Sequence, residues 1–439
     1  MNQPKIVKNY LKNFSFDKWK LFVNDDQLFE NIFVIPAIDE YENLKKLFAS
    51  ILANDKEYFS NTLFLIVINN LKSSAKQVKD ENQKTISYFK SIIKNEVIDE
   101  LSKKIISSKL NIGIVDASTE NNEMPEKEGG VGFARKIGMD LALKYFDYES
   151  TKMKMLFCLD ADCIVQDNYL KTLVDEVNNK NIAAGYVEYE HLLPDDDEEK
   201  KAIIIYEIFL RYYVLGLKYA NSPFAFDTIG STMFCDFEHY IKIGGMNKKK
   251  AAEDFYFLEK LAKLTKIQKI NKTKIYPSSR KSWRVPFGTG QRVQRYFQNT
   301  HNENLVYHPQ SFEILKKWIE VFFTNDIFTS DEYLFKANEI HVELKNFLVL
   351  HSFNVAWNKI INETEKKEQI QKQKLFWFDG FRTLKLIHHL RDNAFPMVYF
   401  DEALDKLFSL LKIEFENPNK KLSWEYMFSY LEKLRQANF

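Results

Sequence analysis

Glycine is scarce in this 439-residue chain and unevenly spread: there are thirteen, none before Gly113, twelve between Gly113 and Gly290, and Gly380 alone beyond them. Tight turns and close approach of backbone to a ligand are therefore expected in that middle stretch. Cysteine is sparse as well. Cys158, Cys163 and Cys235 make no even set and no C-x-x-C pair, which argues against a disulfide scaffold and a cysteine-rich zinc site and for a reducing compartment. An excess of either charge is missing: 62 basic residues against 61 acidic ones leave a formal net charge of +1, so no nucleic-acid partner is expected. No run reaches about 18 uncharged apolar residues. The best candidate, Ala202 to Ala220, is broken by Glu207 and Arg211, and no transmembrane segment is expected. The opening MNQPKIVKNYLKNFSFDKWK lacks the apolar core of a signal peptide, so the expectation is a cytoplasmic protein, with the inner face of the membrane as the other station considered.

What is present is apolar and aromatic: 45% hydrophobic residues, with 37 Phe and 22 Tyr, too much for disorder. At roughly 100 to 200 residues per domain the length allows two to four domains. The first thirty residues read as a small helical appendage. From Asn31 the chain alternates apolar runs with helical patterns: NIFVIP, TLFLIVINN from Thr62, NIGIVDAS from Asn111, KMLFCLDAD from Lys154 and NIAAGYVEYE from Asn181. Unbroken apolar strands of this kind suit a parallel sheet covered on both faces, and the rhythm predicts an open α/β sheet with ligands at the carboxyl ends of its strands. The charged helical stretch from Lys72 to Ser108 reads as an enlarged connection. Past residue 310 every segment carries the helical period, which predicts an all-helical C-terminal domain over 311–439.

Three groups of residues carry chemistry. Asp160 and Asp162, in LDADC, end an apolar strand; two carboxylates leaving the strand at a turn would converge on one hard divalent cation, Mg2+ or Mn2+, while the plain alternative is an acidic loop. Gly129, Gly130 and Gly132 precede a helix with Arg135 and Lys136, a cradle for phosphate or else a structural loop. It matches neither G-x-G-x-x-G nor a G-K-[ST] ending. Glu253 and Asp254 stand at a helix start, where a carboxylate can cap the helix or take a proton from a hydroxyl.

In that order these landmarks resemble the family-2 glycosyltransferases of the GT-A fold, over roughly Asn31 to His308. The resemblance implies a GT-A nucleotide-diphospho-sugar transferase fold, with the catalytic domain over 31–310. It also implies a hexosyltransferase-like enzyme that moves a sugar from a nucleoside diphosphate sugar to an acceptor hydroxyl, metal-dependent, inverting and non-processive, in bacterial glycan or glycoconjugate synthesis. By the same resemblance Pro36 and Glu40 open the nucleotide site, with Asp39 a less direct candidate, and Arg135 and Gly132 lie near the nucleotide. Asp160 and Asp162 hold Mn2+ or Mg2+, and Asp254 acts as base beside Glu253. A third metal ligand is expected near the end of the domain, with His308 first and His301 second.

The chain departs from the family pattern at Asn69 and Asn70, where acids are usual; Asn69 would still contact the nucleotide by hydrogen bonding, and Asp116 would supply the acidic contact. The string RVQRY, Arg292 to Tyr296, stands where polysaccharide synthases carry Q-x-x-R-W. Arg280, Arg284 and Arg292, near Gly288 and Gly290, read as a loop closing over diphosphate. Two rivals remain at this level: a nucleotidyltransferase of sugar phosphates and an inactive nucleotide-sugar-binding protein. The C-terminal helices leave a homodimer and peripheral membrane contact open.

Overall fold

In the computed structural model the described residues are 3–24, 27–280, 288–416 and 423–436. They pack as two units, one from residues up to Leu192 together with Thr228–Ser279, the other from Leu193–Asp227, Arg280 and the chain from Gly288 onward.

The first unit is built on a nine-stranded sheet: β1 (Leu21–Val23), β2 (Asn31–Ala37), β3 (Thr62–Asn69), β4 (Asn111–Ala117), β5 (Met155–Cys158), β6 (Ile164–Val165), β7 (Ala184–Tyr189), β8 (Met233–Asp236) and β9 (Gln268–Tyr276), in the order β1-β4-β3-β2-β5-β8-β7-β9-β6. Six of the nine run one way; β1, β6 and β8 oppose them. The mostly parallel α/β sheet expected from the apolar runs is thus what forms. Its helices are α1 (Lys5–Phe14), α2 (Tyr41–Ile51), α3 (Lys76–Ile93), α4 (Glu100–Ser108), α5 (Val131–Ala142), α6 (Tyr169–Lys180), α8 (Phe237–Lys242) and α9 (Glu253–Ala262), with α7 (Asp197–Tyr219) belonging to the other unit.

Strand periodicity decides which helix covers which face. Phe33 and Ile35 of β2 and Phe64 and Ile66 of β3 share a core with Leu44 and Phe48 of α2, Phe89 of α3 and Leu173 of α6. Val34, Leu65 and Val67 point the other way onto α5, where a Cβ on Gly138 would lie 2.4 Å from Val34 Cγ1. The absent side chain lets α5 sit close against the sheet. Pro36, which has no N–H, is tolerated in this central strand because pairing of β2 with β5 ends at Val34↔Cys158.

The first thirty residues are more than an appendage. β1 pairs antiparallel with β4, and the Tyr10 hydroxyl of α1 donates to Asp140 Oδ1 of α5 at 2.9 Å. The Tyr240 hydroxyl reaches the same oxygen at 2.7 Å, and Lys136 Nζ lies 2.9 Å from Asp140 Oδ2. A buried carboxylate needs such partners, so the N-terminal segment is held by the core of the unit.

The second unit is helical. Around α7 stand α10 (Thr289–Gln298), α11 (Pro309–Phe322), α12 (Ser330–Ile340), α13 (Val342–Leu350), α14 (Phe353–Glu363), α15 (Lys367–Trp377), α16 (Gly380–Asn393), α17 (Phe400–Leu411) and α18 (Trp424–Gln436), with a two-stranded ribbon of β10 (Leu305–Val306) and β11 (Val398–Tyr399). The boundary read at residue 310 is therefore displaced. Residues 193–227 and 288–310 pack with the helices, because the apolar face of α7 joins the core made by Trp318, Phe322 and Tyr333. The charges that interrupt the Ala202–Ala220 run are internal: Glu207 is fully buried, with Arg211 Nε 2.8 Å from its Oε1 and Arg435 of α18 giving Nε to Oε1 and a second N–H to Oε2, each at 2.8 Å. Among the described residues no helix is long and apolar enough to cross a membrane.

Candidate functional site

Strands β4, β3, β2 and β5 are neighbours and run parallel, so their carboxyl ends form one edge carrying Asp116–Thr119, Asn69–Asn70, Ala37–Glu40 and Asp160–Asp162. An edge of this kind is where open α/β sheets bind ligands.

Beyond β5 the chain turns sharply, Cys163 N–H donating to Asp160 O at 3.2 Å. Ala161 points into the core, while Asp160 and Asp162 on either side of it are half-buried. The D-x-D pair is thus two carboxylates on one tight turn.

Arg135 of α5 is buried and forks between two acids: its guanidinium donates to Asp160 Oδ1 at 2.5 Å and to Glu253 Oε1. Glu253 opens α9 but makes no cap with its side chain; its buried carboxylate turns to Arg135 instead. The Asp160 side chain is 36% exposed and the Glu253 side chain only 6%, so the fork reaches from the core to the open edge. Lys136, next in sequence, faces away and pairs with Asp140.

Asp254 follows. Burial pushes its carboxyl up to about 7, the neighbouring Glu253 charge pushes the same way, Arg135 and the Phe255 N–H pull it back, and Asp160 adds a smaller push upward. A carboxyl of that affinity, half-buried beside an open edge, is matched to proton transfer near neutral pH.

Gly132 belongs to the packing around this fork. A Cβ there would lie 2.6 Å from Lys249 O and 2.8 Å from Glu253 Cβ, so the glycine lets α5 touch the segment that leads into α9. That segment is closed by Asn247, whose Nδ2 donates to Glu253 O at 3.0 Å. Gly129 and Gly130 are likewise crowded by Pro125 O and Lys250 Cα. The glycines expected to cradle phosphate thus have protein against them. Gly132→Ala should shift the start of α9 and cost about 1–3 kcal/mol, as overpacking does. A lowered denaturant midpoint with unchanged slope would register it, and an unchanged midpoint would remove the packing role.

At the other strand ends, Glu40 is buried with Oε2 accepting from Asn43 Nδ2 at 2.6 Å. Asp116 closes its own loop. Burial pushes its carboxyl up, but donors from Thr119 and Ser118 outweigh this and hold it below its usual range. The Asn69 amide is satisfied when its nitrogen donates to Ala37 O at 3.3 Å and Val67 O at 3.2 Å.

One residue of this edge was missed in the sequence. Asn82 of α3 is buried; its Oδ1 accepts from Asp39 N, and its Nδ2 donates to Asn69 O and Asn70 Oδ1 at 3.1 and 2.9 Å. It ties the loop after β2, where Asp39 has φ of 58°, to the end of β3. A buried asparagine spaced among charged helical residues gave no apolar signal by which to find it.

Other expected contributors belong to the helical unit. His308 caps α11, its Nδ1 accepting from Gln310 N–H at 3.0 Å and its ring lying against Phe395. Among the described residues no group of three or more His, Cys, Asp or Glu could hold a metal ion. Arg292 and Arg295 are both drawn to the buried carboxylate of Glu303, at 2.9 and 2.8 Å, which takes Arg292 out of a diphosphate clamp. Arg280 is half-buried at the end of a described stretch, and Arg284 lies outside the described residues.

No family model matches the chain, and no curated protein matches its sequence. Among solved structures it is similar to S. aureus TarS 1-349 in complex with UDP-GlcNAc, at 11% identity and a TM-score of 0.37, over 92% of this chain and 89% of that one. It is similar also to the mannosyltransferase PcManGT from Pyrobaculum calidifontis in complex with GDP-Man and Mn2+, at 12% identity and a TM-score of 0.36, over 99% and 93% of the two chains. Identities and scores of this size assign no role to any residue here.

Proposed function

We propose that the α/β unit is a GT-A-type glycosyltransferase that moves a sugar from a nucleoside diphosphate sugar to an acceptor hydroxyl. The observation that carries this reading is the fork of Arg135 between Asp160 and Glu253, with Asp254 beside it holding its proton until about pH 7. The acceptor oxygen gives its proton to Asp254 and forms the new bond to the anomeric carbon. The bond from that carbon to the diphosphate oxygen breaks, and its electron pair leaves with the diphosphate. One displacement of this kind inverts the anomeric centre. Glu253 touches no reacting atom in this scheme; it fixes Arg135, which fixes Asp160.

Two carboxylates on one turn are hard oxygen donors and suit Mg2+ or Mn2+, provided that diphosphate and water complete the shell. Asp160 and Asp162 would hold the ion. When bound, such a cation neutralises charge developing on the leaving diphosphate. Asp162→Ala should then abolish the Mn2+-dependent part of donor binding. Calorimetric titration with uridine, guanosine and thymidine diphosphate sugars, with and without Mn2+, is the test. A metal-dependent affinity that survives the substitution would take Asp162 out of this role. Transfer of label from such a donor separates this reading from a binding protein without turnover.

A further inference from the structure

The helical unit carries a second recess, remote in kind from the acids of the sheet edge. It is an open cleft of about 410 Å³, within the roughly 300–1,000 Å³ usual for small-molecule sites. Its walls come from the end of α10, the loop to β10 and the first turn of α7. We propose that this cleft binds a hexopyranose unit of a neutral glycan.

The lining selects that chemistry. Tyr296 and Phe297 provide adjoining aromatic surfaces, with ring centroids 5.7 Å apart and planes at 78°, and Phe297 is 39% exposed. An aromatic face half in water covers the C–H face of a sugar ring at little ordering cost. Around it stand side-chain amides: Asn299, Asn302 and Asn304. Each amide offers both donor and acceptor, which is what a hydroxyl, itself both, requires. Asn302 Oδ1 accepts from Asn304 N and Nδ2 at 3.1 and 3.3 Å, which fixes the loop, while the Asn299 amide and Asn304 Oδ1 have no protein partner among the described residues. Glu303 borders the cleft with its side chain 4% exposed, and two arginines neutralise its charge.

The same lining disfavours other ligands. Among the described residues Arg292 and Arg295 are held by Glu303 and Lys201 by Glu198 at 2.7 Å, and the lining adds His301, whose Nδ1 lies 3.2 Å from Thr300 Oγ1, so a phosphate would meet the carboxylates of Glu198 and Glu303 there. Aliphatic side chains are absent from the described lining, which removes the interior a lipid chain needs. This inference does not depend on sugar transfer by the α/β unit.

The test is saturation-transfer NMR on the full chain with methyl glycosides of glucose, galactose, mannose and N-acetylglucosamine as probes. The expected result is transfer to the ring C–H protons of at least one glycoside, with affinity about tenfold weaker in Phe297→Ala, the loss of one aromatic contact. Because Phe297 also packs against Tyr296, the melting temperature of the variant is measured alongside and binding is compared where both proteins are folded. Asn299→Gly, which keeps the left-handed backbone at φ 51° and removes the amide, is the second variant and should also weaken binding. No transfer to any of the four glycosides overturns the proposal, and so does transfer that neither variant alters. Binding lost in these variants while nucleotide-sugar binding persists separates this site from the sheet edge.

Discussion

Asp254→Asn is expected to lower kcat for sugar transfer by roughly 10²–10⁴-fold, the usual contribution of a positioned general base, while leaving donor affinity within about twofold. The wild-type pH profile should identify the same group. Asp254 must be ionised to accept a proton, and its carboxyl stands at about 7, so kcat/KM should rise with pH through that value and level off above it. In the variant that limb should vanish along with the rate. Stability should move the other way. A native carboxyl raised above its unfolded value of about 3.9 binds a proton that the unfolded chain has released, so between about pH 4 and 7 its contribution to stability falls as pH rises. Asparagine cannot ionise. The variant should therefore gain melting temperature relative to the parent near pH 8 and gain less near pH 4. A rate loss with an unshifted pH limb would show that Asp254 is not the titrating base.

The second large effect is expected from Arg135→Met, which leaves Glu253 buried and uncompensated and Asp160 unheld. Removing one partner of a buried ionic pair costs about 3–5 kcal/mol, or roughly 6–20 °C of melting temperature for a unit of this size. Arg135→Lys should restore it only in part, because one nitrogen on a shorter stem cannot present two N–H groups spaced as the guanidinium presents them to Asp160 and Glu253. Adding Glu253→Gln to Arg135→Met should recover part of the stability, since one stranded charge is then gone, but none of the activity. Equal melting temperatures for the single and double variants would mean that the fork carries no coupling energy.

The central parallel strands were legible because each is a short, wholly apolar run: Thr62–Asn69 is buried at every position. The acids after β5 were legible because they interrupt such a run. β8 was not, since four residues within TMFCD offer no period, and β9 was not, since QKINKTKIY alternates polar and apolar without an apolar stretch. Helical spacing in α7 reads the same whichever unit it packs into, so the pattern carries no mark of the boundary at Leu193. The Arg135 fork was half visible. Its arginine and acids were all singled out, but a partnership across 118 residues of chain leaves no mark on local pattern. His308 is a related case: a histidine before proline at a helix start serves as a cap, and sequence spacing alone does not separate a cap from a ligand.

The ion pairs of Glu207 have a consequence in time. Its partner Arg435 lies 228 residues further along the chain, and at roughly 5–20 residues per second a ribosome needs about 10–50 s to deliver it. For that interval α7 has left the exit tunnel with an apolar face and a carboxylate whose distant partner does not yet exist. The strands on either side of it in sequence, β7 and β8, pair with each other across the 193–227 excursion. Synthesis of this chain thus contains a waiting period set by its topology, during which a holding chaperone has a defined segment to hold.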